Sequence, residues 1–211
     1  MAKAENCPEC LRVVTECTCA PRGLRGVRSL RKLIFYDANK QKEPQNKLIY
    51  LLKHRPNRRI SEFVARELSF AIHGELAAGG SSEELGNAVL VHLPRGRRSR
   101  TLYGFDQSEL ICRAVSKQMG IDCADAIGRA KGGREQKKLT GSKRFGNVKG
   151  RFYLKKEVDL SGKTVLLIDD IVTTGASMSG CVKLLQKTGA KEILGFCIAQ
   201  DHPKQKKRGE R

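Results

Sequence analysis

The chain has 211 residues, 39% of them apolar and 30% charged, which suits one main domain with a small appendage and excludes disorder throughout. Lys and Arg number 41 against 22 Asp and Glu, a formal charge of +19 that attracts phosphate, whether on a metabolite or along a nucleic acid. No run approaches 18 apolar residues, and the polar start from Met1 to Ala20 has no secretory apolar core, so the sequence predicts a cytoplasmic protein without membrane insertion.

The charge is unevenly placed. Residues 1–60 carry +9 and residues 92–151 carry +10, whereas 61–91 are net acidic. Four cysteines, Cys7, Cys10, Cys17 and Cys19, fall within 13 residues. In a reducing compartment such a cluster points to a tetrahedral four-cysteine zinc finger over residues 1–25 rather than to disulfides. Cys7-Pro-Glu-Cys10 has knuckle spacing, while Cys17-Thr-Cys19 is compressed, so free thiols or a degenerate finger stay open as alternatives. The other cysteines, Cys112, Cys123, Cys181 and Cys197, read as small core hydrophobes. His54, His73 and His92 have no metal-ligand partner by spacing and read as surface or core residues.

An apolar-rich segment over 45–53 leads to Ile60, Phe63, Val64, Leu68, Ala71, Ile72 and Leu76, a helical stripe at steps of three and four. Gly79 to Ser82 predicts a turn, and Ala88 to Leu93 a buried strand stopped by Pro94. Asp106 and Glu109 have capping-box spacing before a helix whose apolar face ends at Gly120. Residues 129–150 have no sustained period, and seven Lys and Arg fall within 129–144, which reads as a long basic loop. Thr164 to Asp169 reads as a strand, Ala176 to Thr188 as a helix closed by Gly189, and Glu192 to Ala199 as a further strand. That order makes a βαβ unit with a parallel sheet. Residues 203–211 read as a basic disordered tail.

The most informative stretch is Val165-Leu-Leu-Ile-Asp-Asp-Ile-Val-Thr-Thr-Gly-Ala-Ser177. Asp169 and Asp170 emerge at the carboxyl end of a buried strand, where open α/β sheets bind their ligands. Thr173, Thr174, Gly175, Ala176 and Ser177 supply hydroxyls and small residues whose backbone N–H groups close on a phosphate at the start of a helix. Carboxylates for a hydroxylated or metal-bound group and a cradle for a phosphate suit a sugar phosphate. Gly141-Ser-Lys-Arg-Phe-Gly146 continues with Asn147-Val148, which excludes a Walker-A loop. Only 41 residues follow Asp170, too few for a phosphate-accepting receiver domain, which places such acids near its start.

Residues 165–177 resemble the phosphoribosyl pyrophosphate (PRPP) signature of type I phosphoribosyltransferases. Together with residues 7–19, 48–53 and 94–107, and the series Arg129, Gln136, Leu139, Arg144, Asn147, Gly150 and Phe152, the chain up to about residue 201 resembles the ComF family. The resemblance implies an α/β fold: a type I phosphoribosyltransferase-like parallel sheet flanked by helices over residues 26–202, behind a small N-terminal zinc finger of four cysteines. It implies a phosphoribosyltransferase that binds PRPP with Mg2+, with Asp169 and Asp170 holding the ribose hydroxyls directly or through Mg2+ and residues 173–177 holding the 5′-phosphate. Arg95, Arg97, Arg98 and Arg100 stand where the superfamily keeps its pyrophosphate loop, and Lys137, Lys138 and Arg144 are lid candidates. A solvated basic loop is the alternative reading of the four arginines, and the 129–150 loop could equally track a nucleic-acid backbone. The family is linked to DNA uptake in natural competence. The alternative expectation is therefore a non-catalytic accessory protein that binds single-stranded DNA or a DNA-uptake helicase through its finger and through basic stretches such as Arg22 to Lys32. Association into a homo-oligomer is left open. Where ComF relatives usually read Arg-Gly-Phe-Asn-Gln, this chain has Tyr103-Gly-Phe-Asp-Gln107.

Overall fold

A computed structural model describes residues 6–7, 9–37, 44–54, 58–78, 83–96, 101–102, 104–130, 151–155 and 158–201. The strands are β1 (Leu30–Tyr36), β2 (Ala88–His92), β3 (Cys123–Ala124), β4 (Ile127–Arg129), β5 (Phe152–Leu154), β6 (Thr164–Val172) and β7 (Glu192–Asp201). The helices are α1 (Pro44–His54), α2 (Arg58–Ala78), α3 (Glu83–Gly86), α4 (Gln107–Met119) and α5 (Ala176–Leu185), and a 3-10 turn at Gln186–Thr188 extends the last. Five strands form a parallel sheet in the order β1-β7-β6-β2-β3, and β4 and β5 form a separate antiparallel pair.

Alternation along the central strands divides the core between the two faces of the sheet. Leu90, Leu166, Ile168, Leu194 and Phe196 face Val64, Leu68 and Ile72 of α2 and Ile111 and Val115 of α4. Val89, Val91, Val165, Leu167 and Ile193 face Met178, Cys181, Val182 and Leu185 of α5. Strands covered on both faces read as unbroken apolar runs, which is why β2, β6 and β7 stand out in the sequence.

Strand β1 has no counterpart among the elements expected from the sequence. Its residues, Leu-Arg-Lys-Leu-Ile-Phe-Tyr, begin within the basic stretch expected to contact nucleic acid, and the fold engages three of those charges itself. Arg31 Nε donates to Glu75 Oε2 at 2.5 Å, and Arg28 pairs with Glu75 at 3.7 Å and Glu192 at 3.0 Å. Lys32 is fully buried. The ion pairs tie α2 and β7 to β1 and the residues just before it, while Arg22, Arg25 and Arg28 stay exposed.

Helix α4 starts where the capping pattern placed it. Asp106 accepts from the backbone N–H of Ser108 and Glu109, and Gly120 closes the helix in the left-handed conformation. No described helix is long and apolar enough to cross a membrane.

Candidate functional site

From β2 the chain crosses through α4 to β3 on one side, and from β6 it crosses through α5 to β7 on the other. The strand order therefore switches direction between β2 and β6, and a crevice opens at their carboxyl ends. Strand β6 runs to Val172, three residues past its expected end, because it keeps pairing with β7 through Ile171↔Ala199 and Val172↔Gln200. On the β2 side pairing stops at His92↔Ile168, so Asp169 and Asp170 lie just beyond it, in the crevice.

Both carboxylates are buried and both are held. Asp169 accepts from Ser108 Oγ at 3.3 Å and from the backbone N–H of Asp170 at 2.9 Å. Burial raises its pKa to about 7, although Arg95 and Ser108 favour the charged form. Asp170 forms an ion pair with the Arg95 guanidinium. The backbone N–H of Arg95 donates to Asp106 Oδ2 at 2.7 Å, so the residue that caps α4 also fixes the loop after β2. That is the aspartate standing where relatives usually have asparagine.

Other residues join this group that the sequence did not assign to the site. Lys53, at the end of α1, has its pKa lowered by burial and by the Arg95 charge, with Asp169 acting in the opposite sense. Arg129, ending β4, donates to Pro94 O at 3.4 Å and lies 5.2 Å from the Phe152 ring centroid. Lys53 and Arg129 fall at the ends of separately resembling segments, and only the fold brings those segments together. A cavity of about 730 Å³ opens beside them, lined among others by His92, Arg95, Asp106, Glu109, Asp125 and Arg129.

The proposed phosphate cradle lies outside that cavity, with Arg95 belonging to the cavity wall and to the Asp170 ion pair. Thr173 and Thr174 are exposed. Gly175, at φ 75°, caps α5, and Ala176 N–H donates to Thr174 Oγ1 at 3.4 Å. Only glycine suits this position, since a Cβ here would stand 2.7 Å from Leu24 Cβ. Leu24 belongs to a segment that clasps the same helix. Ser179 Oγ donates to Gly23 O at 2.8 Å and accepts from Arg25 N–H at 3.0 Å.

The N-terminal cysteines meet as the sequence expected. One sulfur each from Cys7, Cys10, Cys17 and Cys19 lies within 4.8 Å of the others. Four soft donors, two buried and two half-buried, fit a tetrahedral zinc ion. Burial raises the Cys17 and Cys19 thiols, while Cys10 is lowered to about 7, first by a hydrogen bond from the Arg12 backbone. Lys32 reaches this cluster from β1. Its Nζ donates to Cys19 O at 2.5 Å, hydrogen-bonds Cys17 and lies 5.7 Å from the Phe35 ring centroid. Four thiolates around a divalent ion would leave two negative charges, one of which a buried ammonium would offset.

Two readings from spacing are corrected. His92 is not isolated, and Cys112 and Cys123 are more than core filler: the three converge from β2, α4 and β3 within 4.8 Å of one another. The sulfurs lie 2.8 Å apart, and the Cys123 thiol is lowered to about 5, first by Cys112 and then, against burial, by His92. Linear spacing concealed the group because parallel pairing sets Leu90 against Cys123. Of the remaining basic candidates, Arg97, Arg98, Arg100, Lys137, Lys138 and Arg144 fall outside the described residues.

A parallel sheet with paired carboxylates at its switch point and a glycine-capped helix beside them defines an α/β protein of phosphoribosyltransferase type. The family model described as "Phosphoribosyl transferase domain" matches residues 107–210. Its relatives include the DNA utilization protein YhgH of Escherichia coli K12, 26% identical over 159 residues, which cover 74% of this chain and 67% of that protein. Competence protein F of Haemophilus influenzae is 29% identical over 53% of this chain and 47% of its own length. Orotate phosphoribosyltransferase of Sulfurisphaera tokodaii is 31% identical over 49% of this chain and 57% of that enzyme. These relatives agree with the ComF resemblance. The match spans about two thirds of YhgH and about half of the competence protein.

Proposed function

We propose that the protein binds PRPP together with Mg2+ and supports transfer of its phosphoribosyl group, the nitrogen of an acceptor base or amine bonding to the ribose C1 as pyrophosphate departs. The observation that carries this is the placing of Asp169 and Asp170 beside the Gly175 helix start, at the switch between β2 and β6. Carboxylates and hydroxyls are hard oxygen donors, the set that holds Mg2+ alongside substrate phosphates. Asp169 and Asp170 would hold the ribose hydroxyls or the ion. The backbone N–H groups of residues 173–177 would take the 5′-phosphate. Arg95, with Arg97, Arg98 and Arg100 following it in the chain, would face the pyrophosphate. Lys137, Lys138 and Arg144 would close over it and exclude water from C1. When bound, Mg2+ neutralises charge growing on the departing pyrophosphate.

The reaction asks little of acid or base groups, because the C1–oxygen bond breaks through an oxocarbenium-like state. Positioning and charge stabilisation therefore carry the chemistry. Calorimetric titration of PRPP, with and without Mg2+, into the wild-type chain and Asp169→Asn tests the reading. Saturable, magnesium-sensitive binding that weakens in the variant is expected, and absence of binding to the folded wild-type protein refutes it.

A second reading draws on the relatives named DNA utilization protein and Competence protein F. In it the chain serves DNA uptake, holding single-stranded DNA or a helicase through its basic surface and N-terminal finger. Binding to a single-stranded oligonucleotide should then weaken steeply with salt. Binding that is absent or indifferent to salt removes direct DNA contact.

A further inference from the structure

Outside the N-terminal cysteine cluster, one other group among the described residues gathers three or more metal-ligating side chains. His92 ends β2, Cys112 points inward from α4, and Cys123 begins β3 beside Leu90. Each offers one donor atom, and all three donors lie within 4.8 Å of one another. His92 is 6% exposed and Cys112 fully buried, while Cys123 is half-buried. This is a soft donor set, two sulfurs and one imidazole nitrogen, held by two strands of the sheet and the helix packed against them.

Two further observations point to a partner for these residues. His92 Nδ1 is buried and makes no hydrogen bond, and a polar atom left so only destabilises the fold in a purely structural role. His92 also lines the cavity of about 730 Å³, whose wall includes the carboxylates of Glu109 and Asp125. The cluster is thus closed by protein on one side and faces a polar space on the other.

We propose that His92, Cys112 and Cys123 form a second metal site, for a divalent thiophilic cation such as Zn2+, with its fourth coordination position open to the cavity shared with Arg95 and Asp106. Three protein donors and one open position are the pattern of a zinc ion that takes a water or a substrate atom, in contrast to the closed set of four N-terminal cysteines. The two sulfurs, 2.8 Å apart, separate to about 3.7 Å when each sits about 2.3 Å from a tetrahedral ion. Disulfide formation is the competing fate of such close sulfurs. It would use two of the three groups and leave the placing of His92 without a reason. The proposal does not depend on PRPP binding, since its readout is metal content.

The full chain is purified under reducing conditions, loaded with Zn2+, dialysed and its metal counted. Parallel samples carry Cys112→Ser with Cys123→Ser, or His92→Gln, or Cys7→Ser with Cys10→Ser, and circular dichroism checks folding. The Cys112/Cys123 variant should hold one equivalent fewer than wild type, and His92→Gln should lose its share of that equivalent to a competing chelator at least tenfold faster. Cobalt loading gives a second readout. The Cys7/Cys10 variant should keep thiolate-to-metal absorption that disappears when Cys112 and Cys123 are also replaced. An unchanged count in the folded Cys112/Cys123 variant or an unchanged rate of loss to the chelator in folded His92→Gln overturns the proposal, as does a reduced wild-type chain in which mass mapping finds Cys112 joined to Cys123. If the double serine variant does not fold, His92→Gln decides.

Discussion

Asp169 is the residue at which stability and ligand binding should oppose each other. It is 7% exposed, and burial lifts its pKa from the ordinary value of 3.8 to about 7. In the unfolded chain the carboxyl ionises near 3.8, so across the interval up to 7 the native state holds the extra proton. Stability falls as pH rises through that window and levels off above it. Three pKa units at 1.36 kcal/mol each set the full effect at about 4 kcal/mol by pH 8, with about 3 kcal/mol of it developing between pH 5 and pH 8. Asp169→Asn does not ionise, and its Oδ1 can still accept from Ser108 Oγ and from the Asp170 N–H. Urea denaturation of both proteins from pH 5 to pH 8 should show the variant gaining on wild type by about 3 kcal/mol, or roughly 6–12 °C in melting temperature. The same variant should bind PRPP more weakly. A stability difference that stays constant across this range refutes the assignment of a proton to Asp169.

Three other substitutions probe the surroundings. Arg95→Met leaves Asp170 buried without its guanidinium and should cost about 3–5 kcal/mol in denaturation, so a loss under about 1 kcal/mol contradicts the ion pair. Gly175→Ala forces a side chain into a left-handed backbone and against Leu24, for a loss of about 2–4 kcal/mol together with weaker PRPP binding; wild-type affinity would show that the cradle takes no phosphate. Lys32→Met removes the ammonium beside the N-terminal cysteine cluster and should speed zinc loss to a chelator by about tenfold, whereas an unchanged rate means the lysine does not steady the ion.

The elements that could be read from sequence are those whose local pattern agrees with their final surroundings. Strands β2, β6 and β7 are covered on both faces and appear as apolar runs, and α4 carries its own cap at Asp106 and its stop at Gly120. Asp169, Asp170 and Gly175 were legible for the same reason, since a strand end and a helix start sit in one continuous segment. Strand β1 was hidden because two of its seven residues are cationic, and their partners, Glu75 and the backbone of Cys19, come from distant segments. The short strands β3, β4 and β5 offer two or three residues each, too few for a period to register. The grouping of His92 with Cys112 and Cys123 depends on parallel register, which no linear spacing expresses. Arg129 and Lys53 likewise become neighbours of the carboxylates only through packing.

The place of β7 in the sheet bears on how the chain is made. Leu30 at the start of β1 pairs with Gly195, and the same β7 residue pairs with Leu167 of β6 on its other side. An early strand therefore has no neighbour until a late one leaves the ribosome, and a growing chain must carry β1 and the edge of β6 open in the meantime. The Cys7–Cys19 loop needs no such wait, because its four sulfurs are close along the chain. Were an ion captured there, Phe35 would have something to pack against before the sheet is complete. A break in translation or a proteolytic cut ahead of Glu192 would uncover two strand edges at once, and such fragments would be expected to aggregate rather than persist as a smaller folded form.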